Sequence, residues 1–236
     1  GGTAVPEIGE VTDYIRVLDR SGYFETVTLS EDDLKRNDMY RANAQRAKAQ
    51  SRFADYHDYL LSLEMTAEIG DFSPLYLQRI TQLTNKSNQF NLTTKRYTAE
   101  QMEAVYNSDE YIRLYGKLYD KFGDNGVVAV TIGKIDSEDK GRLDIELWLM
   151  SCRVLKRDME LAMLDSLVAQ AKKRGIREIY GHYYPTAKNK MVAGLYESFG
   201  FEKISQDEEC NTAWRLLVEG YEDKNTVIKV KEEHYA

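Results

Sequence analysis

The sequence predicts an α/β protein built on a mixed sheet with helices on both faces. An antiparallel hairpin rich in β-branched residues, 111–119 and 127–135, stands in mid-chain. After it, strands and helices alternate, as a parallel crossover requires. Between the two, an apolar strand at 143–150 empties through the polar knot Ser151-Cys152-Arg153-Val154-Leu155-Lys156-Arg157-Asp158 into an amphipathic helix at 159–173. A strand that runs into a helix start collects unpaired N–H groups and the positive end of the helix dipole. Such points hold phosphates and activate thiols.

The elements follow in order. Residues 7–20 place Ile8, Val11, Tyr14, Ile15 and Leu18 at helical spacing, with Gly22 where a C-terminal cap belongs; 23–29 alternate weakly. Ser30 and Asp33 form a capping arrangement for a helix at 31–52. That helix is rich in Ala, Lys, Arg and Gln but poor in apolar residues, as suits a connecting helix. A second helix at 55–63 precedes a strand at 65–69, broken by Gly70-Asp71. Leu75, Leu77, Ile80 and Leu83 mark a helix that runs into a polar stretch, 84–97. Thr98 and Gln101 are the capping box of a helix through Tyr106. Gly123-Asp124-Asn125-Gly126 reads as the hairpin turn, and Arg174-Gly175 ends the long helix. There follow a strand at 176–180, a helix at 188–198, and strands at 202–205 and 212–218. The charged tail from Gly220, with Val227, Ile228 and Val230, reads as an added strand or a disordered end.

Composition narrows the function classes. A 42% hydrophobic, 30% charged chain of 236 residues is an ordinary soluble globular protein. A net charge of −7 argues against nonspecific nucleic-acid binding. Two cysteines, Cys152 and Cys210, make no disulfide framework. With no apolar run near membrane-span length and no signal-peptide pattern, the expected location is the cytoplasm. Gly1-Gly2 reads as a processing scar. No paired His/Cys spacing points to a metal.

The strand, knot and long helix, together with Asn189, Leu195-Tyr196 and Phe199-Gly200-Phe201, resemble the GNAT acyltransferase fold, with Val192 where that family's closing pattern has alanine. More specifically, residues 82–97, Phe122-Gly123-Asp124-Asn125-Gly126, Ser151-Cys152-Arg153-Val154-Leu155 and Pro185-Thr186-Ala187-Lys188-Asn189 resemble FkbH-like proteins. The likeness extends to Gly22-Tyr23-Phe24-Glu25 and Met39-Tyr40-Arg41-Ala42-Asn43. Those proteins join a HAD-type phosphatase to a GNAT-like domain, and polyketide members deliver a glyceryl group to an acyl carrier protein thiol. The phosphatase nucleophile motif D-x-D-x-T/V is absent from this sequence. The resemblance therefore implies the end of a phosphatase domain and a helical linker over 1–55, a GNAT-like acyltransferase domain over 56–220, and a tail over 221–236. The implied partners are an acyl carrier protein and the missing phosphatase domain, and the implied cofactor is carrier-bound phosphopantetheine or coenzyme A.

The resemblance also assigns roles. Lys156 and Asp158 stand where the family's R/Q-x-x-G-x-G/A motif has glycines, which counts against the close approach of a diphosphate. Arg153, Val154, Lys156, Arg157, Lys188 and Asn189 are the expected cofactor contacts. Cys152 has two readings, a buried small hydrophobe at a strand end or a nucleophilic thiolate that carries the acyl group. Tyr196 is either a general acid for the departing thiolate or a packing residue. Asn85, Asn88, Gln89, Asn91, Thr94 and Arg96 read as a self-capping loop or as a polar lip for a hydroxylated acyl group. Among histidines, His182 alone follows a strand toward the cleft. Acetyl-CoA-dependent N-acetylation and a non-catalytic carrier-docking module are the rival functions.

Overall fold

The computed structural model describes residues 31–232, so the helix and weak alternation expected at 7–29 lie outside the described residues. The chain divides into two compact units, 1–45 and 46–236. The described part of the first is helical, the opening of α1 (Glu31–Gln50). The second carries the sheet. It contains α2 (Tyr56–Ser62), β1 (Thr66–Gly70), α3 (Pro74–Lys86), β2 (Phe90–Asn91), α4 (Ala99–Tyr106), β3 (Tyr111–Asp120), β4 (Gly123–Ile135) and β5 (Arg142–Met150). A 3₁₀ turn at Cys152–Val154 leads to α5 (Met159–Lys173) and β6 (Glu178–Tyr183). A second 3₁₀ turn, Lys190–Val192, precedes α6 (Leu195–Ser198), β7 (Glu202–Gln206), β8 (Thr212–Leu217) and β9 (Lys229–Glu232).

Local chemistry explains the boundaries. The Asp55 carboxylate accepts the Asp58 N–H at 3.0 Å and opens α2. Ser73 caps α3, whose first residue is Pro74. Thr98 and Gln101 form both halves of the capping box that opens α4. The C-terminus of α5 is closed by Gly175 at φ 72°, with the Ile176 N–H reaching back to the Ala171 carbonyl at 2.9 Å. That bond, with Gly175 N–H on Lys172 O at 3.1 Å, is a Schellman motif.

The strands form one sheet in the order β7-β8-β6-β5-β4-β3-β1-β9, nine among the described residues once β2 is added beside β5. The pairs β5/β6 and β1/β9 are parallel and the others antiparallel. The long helix α5 covers one face, with Met159, Met163, Leu164 and Leu167 packed over Leu114, Ala129, Leu143, Ile145 and Trp148. Helices α3 and α4 cover the other, with Ile80, Leu83, Met102 and Val105 against Tyr115, Val130, Ile132, Leu147 and Leu149. The mixed sheet with helices on both faces is therefore present as expected. No helix among the described residues is long and apolar enough to cross a membrane.

Three local expectations are corrected and one open alternative is resolved. The hairpin turns at Lys121-Phe122, and Gly123–Gly126 belong to β4. There the pairing shifts register, and the buried Asn125 donates to the Leu118 carbonyl at 3.1 Å. The glycines thus serve a bulge, not the turn. The strand expected at 176–180 is Glu178–Tyr183, because the helix cap consumes Ile176. The helix expected at 188–198 breaks at Gly194 into a 3₁₀ turn and the short α6. Finally, part of the tail is a strand, since β9 pairs in parallel with β1 from Thr66↔Lys229 to Ile69↔Glu232.

One buried charge cluster fastens the knot to the hairpin. The Asp120 carboxylate, fully buried, takes Arg46 Nε at 2.8 Å and Arg157 Nη1 at 3.0 Å, and also accepts the Phe122 N–H at 2.8 Å. Removing the anion leaves two guanidiniums facing each other in a dry site. Asp120→Ala is expected to cost about 3–5 kcal/mol, read as a lowered urea midpoint. A loss below about 1 kcal/mol would show that the arginines find other partners.

Candidate functional site

The central strand β5 is not regular. Ile132 pairs with Leu147 but the next residue, Gly133, pairs with Ile145, so Glu146 is an extra residue, a β-bulge. The bulge reverses the side-chain alternation: Leu143, Ile145, Trp148 and Met150 face α5, while Leu147 and Leu149 face α3 and α4. It also separates β5 from β6. The two pair only from Arg142↔Glu178 to Asp144↔Tyr180, and then part.

The gap that opens is filled by the chain itself. Phe90 and Asn91 pair with Met150 and Leu149 on the free edge of β5. The Leu92 N–H donates to the Trp148 carbonyl at 3.1 Å, and Thr93 Oγ1 donates to the Glu146 carbonyl at 2.7 Å. On the other side the Tyr184 N–H donates to the Leu92 carbonyl at 2.9 Å. Asn189, fully buried, donates Nδ2 to the Asn91 and Tyr184 carbonyls, each at 2.9 Å, and accepts the Thr186 N–H at 2.7 Å. Asn189 is therefore a latch on this segment, which corrects its assignment as a cofactor contact. Its amide is spent on backbone that would otherwise be buried unpaired.

At the end of β5, Ser151 starts the 3₁₀ turn and Cys152 is exposed, so its reading as a buried hydrophobe is excluded. Arg153 beside it is partly buried, with Nε on Ser151 Oγ at 3.3 Å. Burial holds this guanidinium below its ordinary pKa, opposed by the nearby Cys152 and Asp124 charges. Arg79, on α3, is held below its ordinary value by burial and then by the charge of Arg153. Val154 is wholly buried and its N–H is already bonded to Ser151 O at 3.2 Å, so it belongs to the core and not to a cofactor site. Arg157 is likewise corrected, because its guanidinium is turned inward onto Asp120.

Lys156 and Asp158, at the two glycine positions, both adopt left-handed backbone, at φ 62° and 60°. The loop keeps a glycine-like path at a cost of about 1 kcal/mol for each residue. The space above it is taken: the Tyr56 hydroxyl donates to the Lys156 carbonyl at 2.6 Å. In the first turn of α5 lies Glu160, whose Oε2 is buried without a hydrogen-bond partner. Burial raises its pKa, a bond to its own backbone opposes the rise, and Asp158 adds to it. Burial raises Asp158 as well. A helix start already occupied by two carboxyls is poorly disposed to a diphosphate. The long helix opens at Met159 as expected, and the 3₁₀ turn and Lys156–Asp158 stand between it and Cys152.

The asparagine-rich run largely satisfies itself. Asn85 donates to Thr81 O at 3.0 Å and Tyr97 O at 3.1 Å. Asn91, fully buried, donates to Ser87 O at 3.3 Å and accepts the Thr94 N–H at 2.8 Å, and Thr94 has φ 55°. Arg96 binds Thr84 O, Ser87 O and Asn88 Oδ1. Asn85, Asn88, Asn91 and Arg96 thus shape and seat the segment, in line with the self-capping reading. Gln89 and Lys188 remain exposed near it. Tyr196 is wholly buried, in line with its reading as a packing residue. Its ring lies against Gly181, where any Cβ would collide with it, among Trp148, Phe201 and Trp214. The hydroxyl is buried without a side-chain partner, and burial raises its pKa.

Sequence reasoning missed the residues of the polar sheet face. Glu146, the bulge residue, holds Lys95 Nζ at 2.5 Å and the Tyr97 hydroxyl at 3.2 Å. His182 Nε2 lies 3.2 Å from Asp144 Oδ1 and its ring stacks on Tyr184, so it is held in place and not isolated. Against the desolvation of burial, His182 and Arg142 hold Asp144 below the usual carboxylate range. The signal was present in the broken alternation Glu146-Leu147-Trp148-Leu149-Met150.

No family model matches the chain, and no curated protein matches it in sequence. Solved structures do match in shape. An acetyltransferase from Thermus thermophilus aligns at 13% identity over 64% of this chain and 97% of its own, with TM-score 0.50. A domain from Methanocaldococcus jannaschii aligns at 12% identity over 65% and 99%, also at 0.50. The acetyltransferase of GNAT family from Streptococcus pneumoniae aligns at 16% over 64% and 99%, at 0.48. These likenesses show a shared mixed α/β fold.

Glu160 supplies a test of the occupied helix start. Its folded pKa is raised, so its contribution to stability is present below the unfolded value of about 4.3 and is lost as pH rises through the folded pKa. Glu160→Gln is expected to be more stable than the parent at pH 7, by on the order of 1 kcal/mol, with the gap closing toward pH 4. Denaturant titrations at several pH values read this directly; a gap that widens on acidification contradicts the buried-carboxyl assignment.

Proposed function

We propose that this chain is the acyltransferase half of an FkbH-like protein and moves a small acyl group, glyceryl in the first instance, onto the thiol of an acyl carrier protein. The observation that carries the reading is the exposed Cys152 at the end of the central strand, with Arg153 next to it in the turn. A thiol there is reachable by a carrier-borne arm, and the adjacent guanidinium offers a fork that matches a phosphate or carboxylate.

The chemistry is two thioester exchanges. Cys152 Sγ, as thiolate, attacks the carbonyl carbon of the donor thioester, and the C–S bond to the donor breaks, releasing the donor thiolate. The carrier thiolate then attacks the Cys152 thioester carbonyl and Cys152 Sγ leaves. Each step forms one C–S bond and breaks one, so no oxidant is needed. Lys188 and Gln89, exposed close to the filled gap, contact the arm in this reading. The missing phosphatase domain would act upstream on the phosphorylated acyl group, and the setting is the cytoplasm.

One observation favours a second reading, acetyl-CoA-dependent N-acetylation. The left-handed backbone at Lys156 and Asp158 preserves the course of a glycine loop. Against it stand Tyr56 on the Lys156 carbonyl, Arg157 turned onto Asp120, and the two carboxyls at the helix start.

Intact-mass measurement after incubation with a glyceryl thioester separates the readings. The expected result is a single glyceryl adduct on the parent chain that is absent in Cys152→Ser and is discharged by reduced carrier protein. Absence of any adduct, together with tight binding of acetyl-CoA in calorimetry, would sink carrier transfer in favour of N-acetylation.

A further inference from the structure

The long helix α5 turns two different flanks to its surroundings. Met159, Met163, Leu164 and Leu167 pack onto the sheet. Beside them Asp165, Ser166, Ala169, Gln170, Lys173 and Arg174 make a second stripe at helical spacing. That stripe borders the end of β1, the start of β3 and the tail that carries β9. A seam between a helix and a sheet edge is ordinarily closed by apolar side chains at interior density. Here it is polar and stays open as a cavity of about 630 Å³. Ile112, Leu114 and Ile228 also line it, but each is buried, so the walls a ligand meets are mainly polar.

The two ends of the cavity differ in charge. At one end the Asp165 carboxylate is consumed by the tail. It accepts the Tyr221 hydroxyl at 2.6 Å and the Lys224 and Asn225 N–H groups at 2.9 and 2.8 Å. Asp223 stands at this end too. Asp71, on the rim, is already paired with Arg113 at 2.8 Å. Two turns along α5, Gln170, Lys173 and Arg174 come together at the other end. Arg174 gives one N–H to the Asp109 carbonyl and keeps the others. Among the described residues, the Lys173 ammonium and the Gln170 amide have no partner. The helix dipole accounts for cations at a C-terminus. It does not account for an open polar seam beside them.

We propose that this cavity binds a small phosphate monoester with a hydroxylated body. The site is separate from the acyl-transfer chemistry, since Cys152 precedes α5 and the cations end it, about 20 Å of helix away. Two adjacent cations match a phosphate monoester, which carries roughly two negative charges at neutral pH. The Arg174 fork takes two of its oxygens, and Lys173 adds a point charge. Beyond the phosphate, Gln170 can donate and accept, and Asp223 accepts. Ser166 Oγ donates to the Ala162 carbonyl at 2.9 Å and keeps its lone pairs for a ligand. These groups suit hydroxyls, whereas the carboxylates at that end repel a second phosphate.

Calorimetry on the full chain tests this, with ribose 5-phosphate as the probe and ribose and inorganic phosphate as its two halves. The expected result is one saturable site for the ester, binding weaker by about tenfold or more for phosphate, and none for ribose. Lys173→Gln is expected to weaken the ester about tenfold. Ala169→Leu fills the cavity without changing a charge and is expected to abolish binding. Both positions are exposed, so each variant keeps the parent's urea midpoint in the absence of the ester. The proposal is overturned if the ester does not bind, or if inorganic phosphate binds as tightly as the ester. It is equally overturned if Ala169→Leu leaves the affinity unchanged, because the cations then act as bare surface charge and the cavity plays no part.

Discussion

A single extra residue in the central strand governs the rest of the molecule. Glu146 has no partner on β4, and a strand with one unmatched residue must bend and twist there. The bend takes the last residues of β5 away from β6, leaving carbonyls and amides on a free edge inside the fold. Such an edge cannot stay bare, because unpaired backbone in a dry interior costs as much as the bonds it lacks. The polar run that precedes α4 answers this requirement. It delivers Phe90 and Asn91 as a strand and Thr93 as a side-chain donor, and Asn189 pins them from the opposite wall.

The knot after β5 separates backbone shape from chemistry. Its path is that of a loop made for glycines, yet Lys156 and Asp158 follow it at positive φ. The strain is offset by the Tyr56 bond to Lys156 O and by the Arg46–Asp120–Arg157 cluster that moors the loop to the hairpin. With Arg157 used there and Glu160 buried in the first turn of α5, the loop is better built to be rigid than to cradle a diphosphate. Positive charge lies instead at Arg153, next to an exposed thiol. The likeness to acetyltransferase structures establishes the fold, and these residues are what suggest a different donor.

The regular elements were legible in the sequence because each carries its own local signal. The spacing of Met159, Met163 and Leu167, the capping box at Thr98 and Gln101, and the glycine after Arg174 mark α4 and α5 without reference to the rest of the chain. The site was less legible, because its parts are joined by long-range bonds. Nothing near Asn189 in sequence announces that its amide will meet Asn91, and nothing near Arg157 announces Asp120. Periodicity placed Tyr196 on an apolar face, but only packing against Gly181 and Trp214 shows the hydroxyl sealed in. The asparagines were rightly marked as unusual. Their spacing admitted both a self-capping loop and a ligand lip, and only the partners of Asn85, Asn91 and Arg96 show where their bonds go.

The proposal with most at stake is that Cys152, exposed at the end of β5, carries the acyl group. A crystal structure of the protein with a non-hydrolysable acyl-phosphopantetheine tests it most directly. The account requires the acyl carbonyl of the arm to lie within reach of Cys152 Sγ at the exposed end of β5. An arm whose acyl end is held away from Cys152 would contradict it.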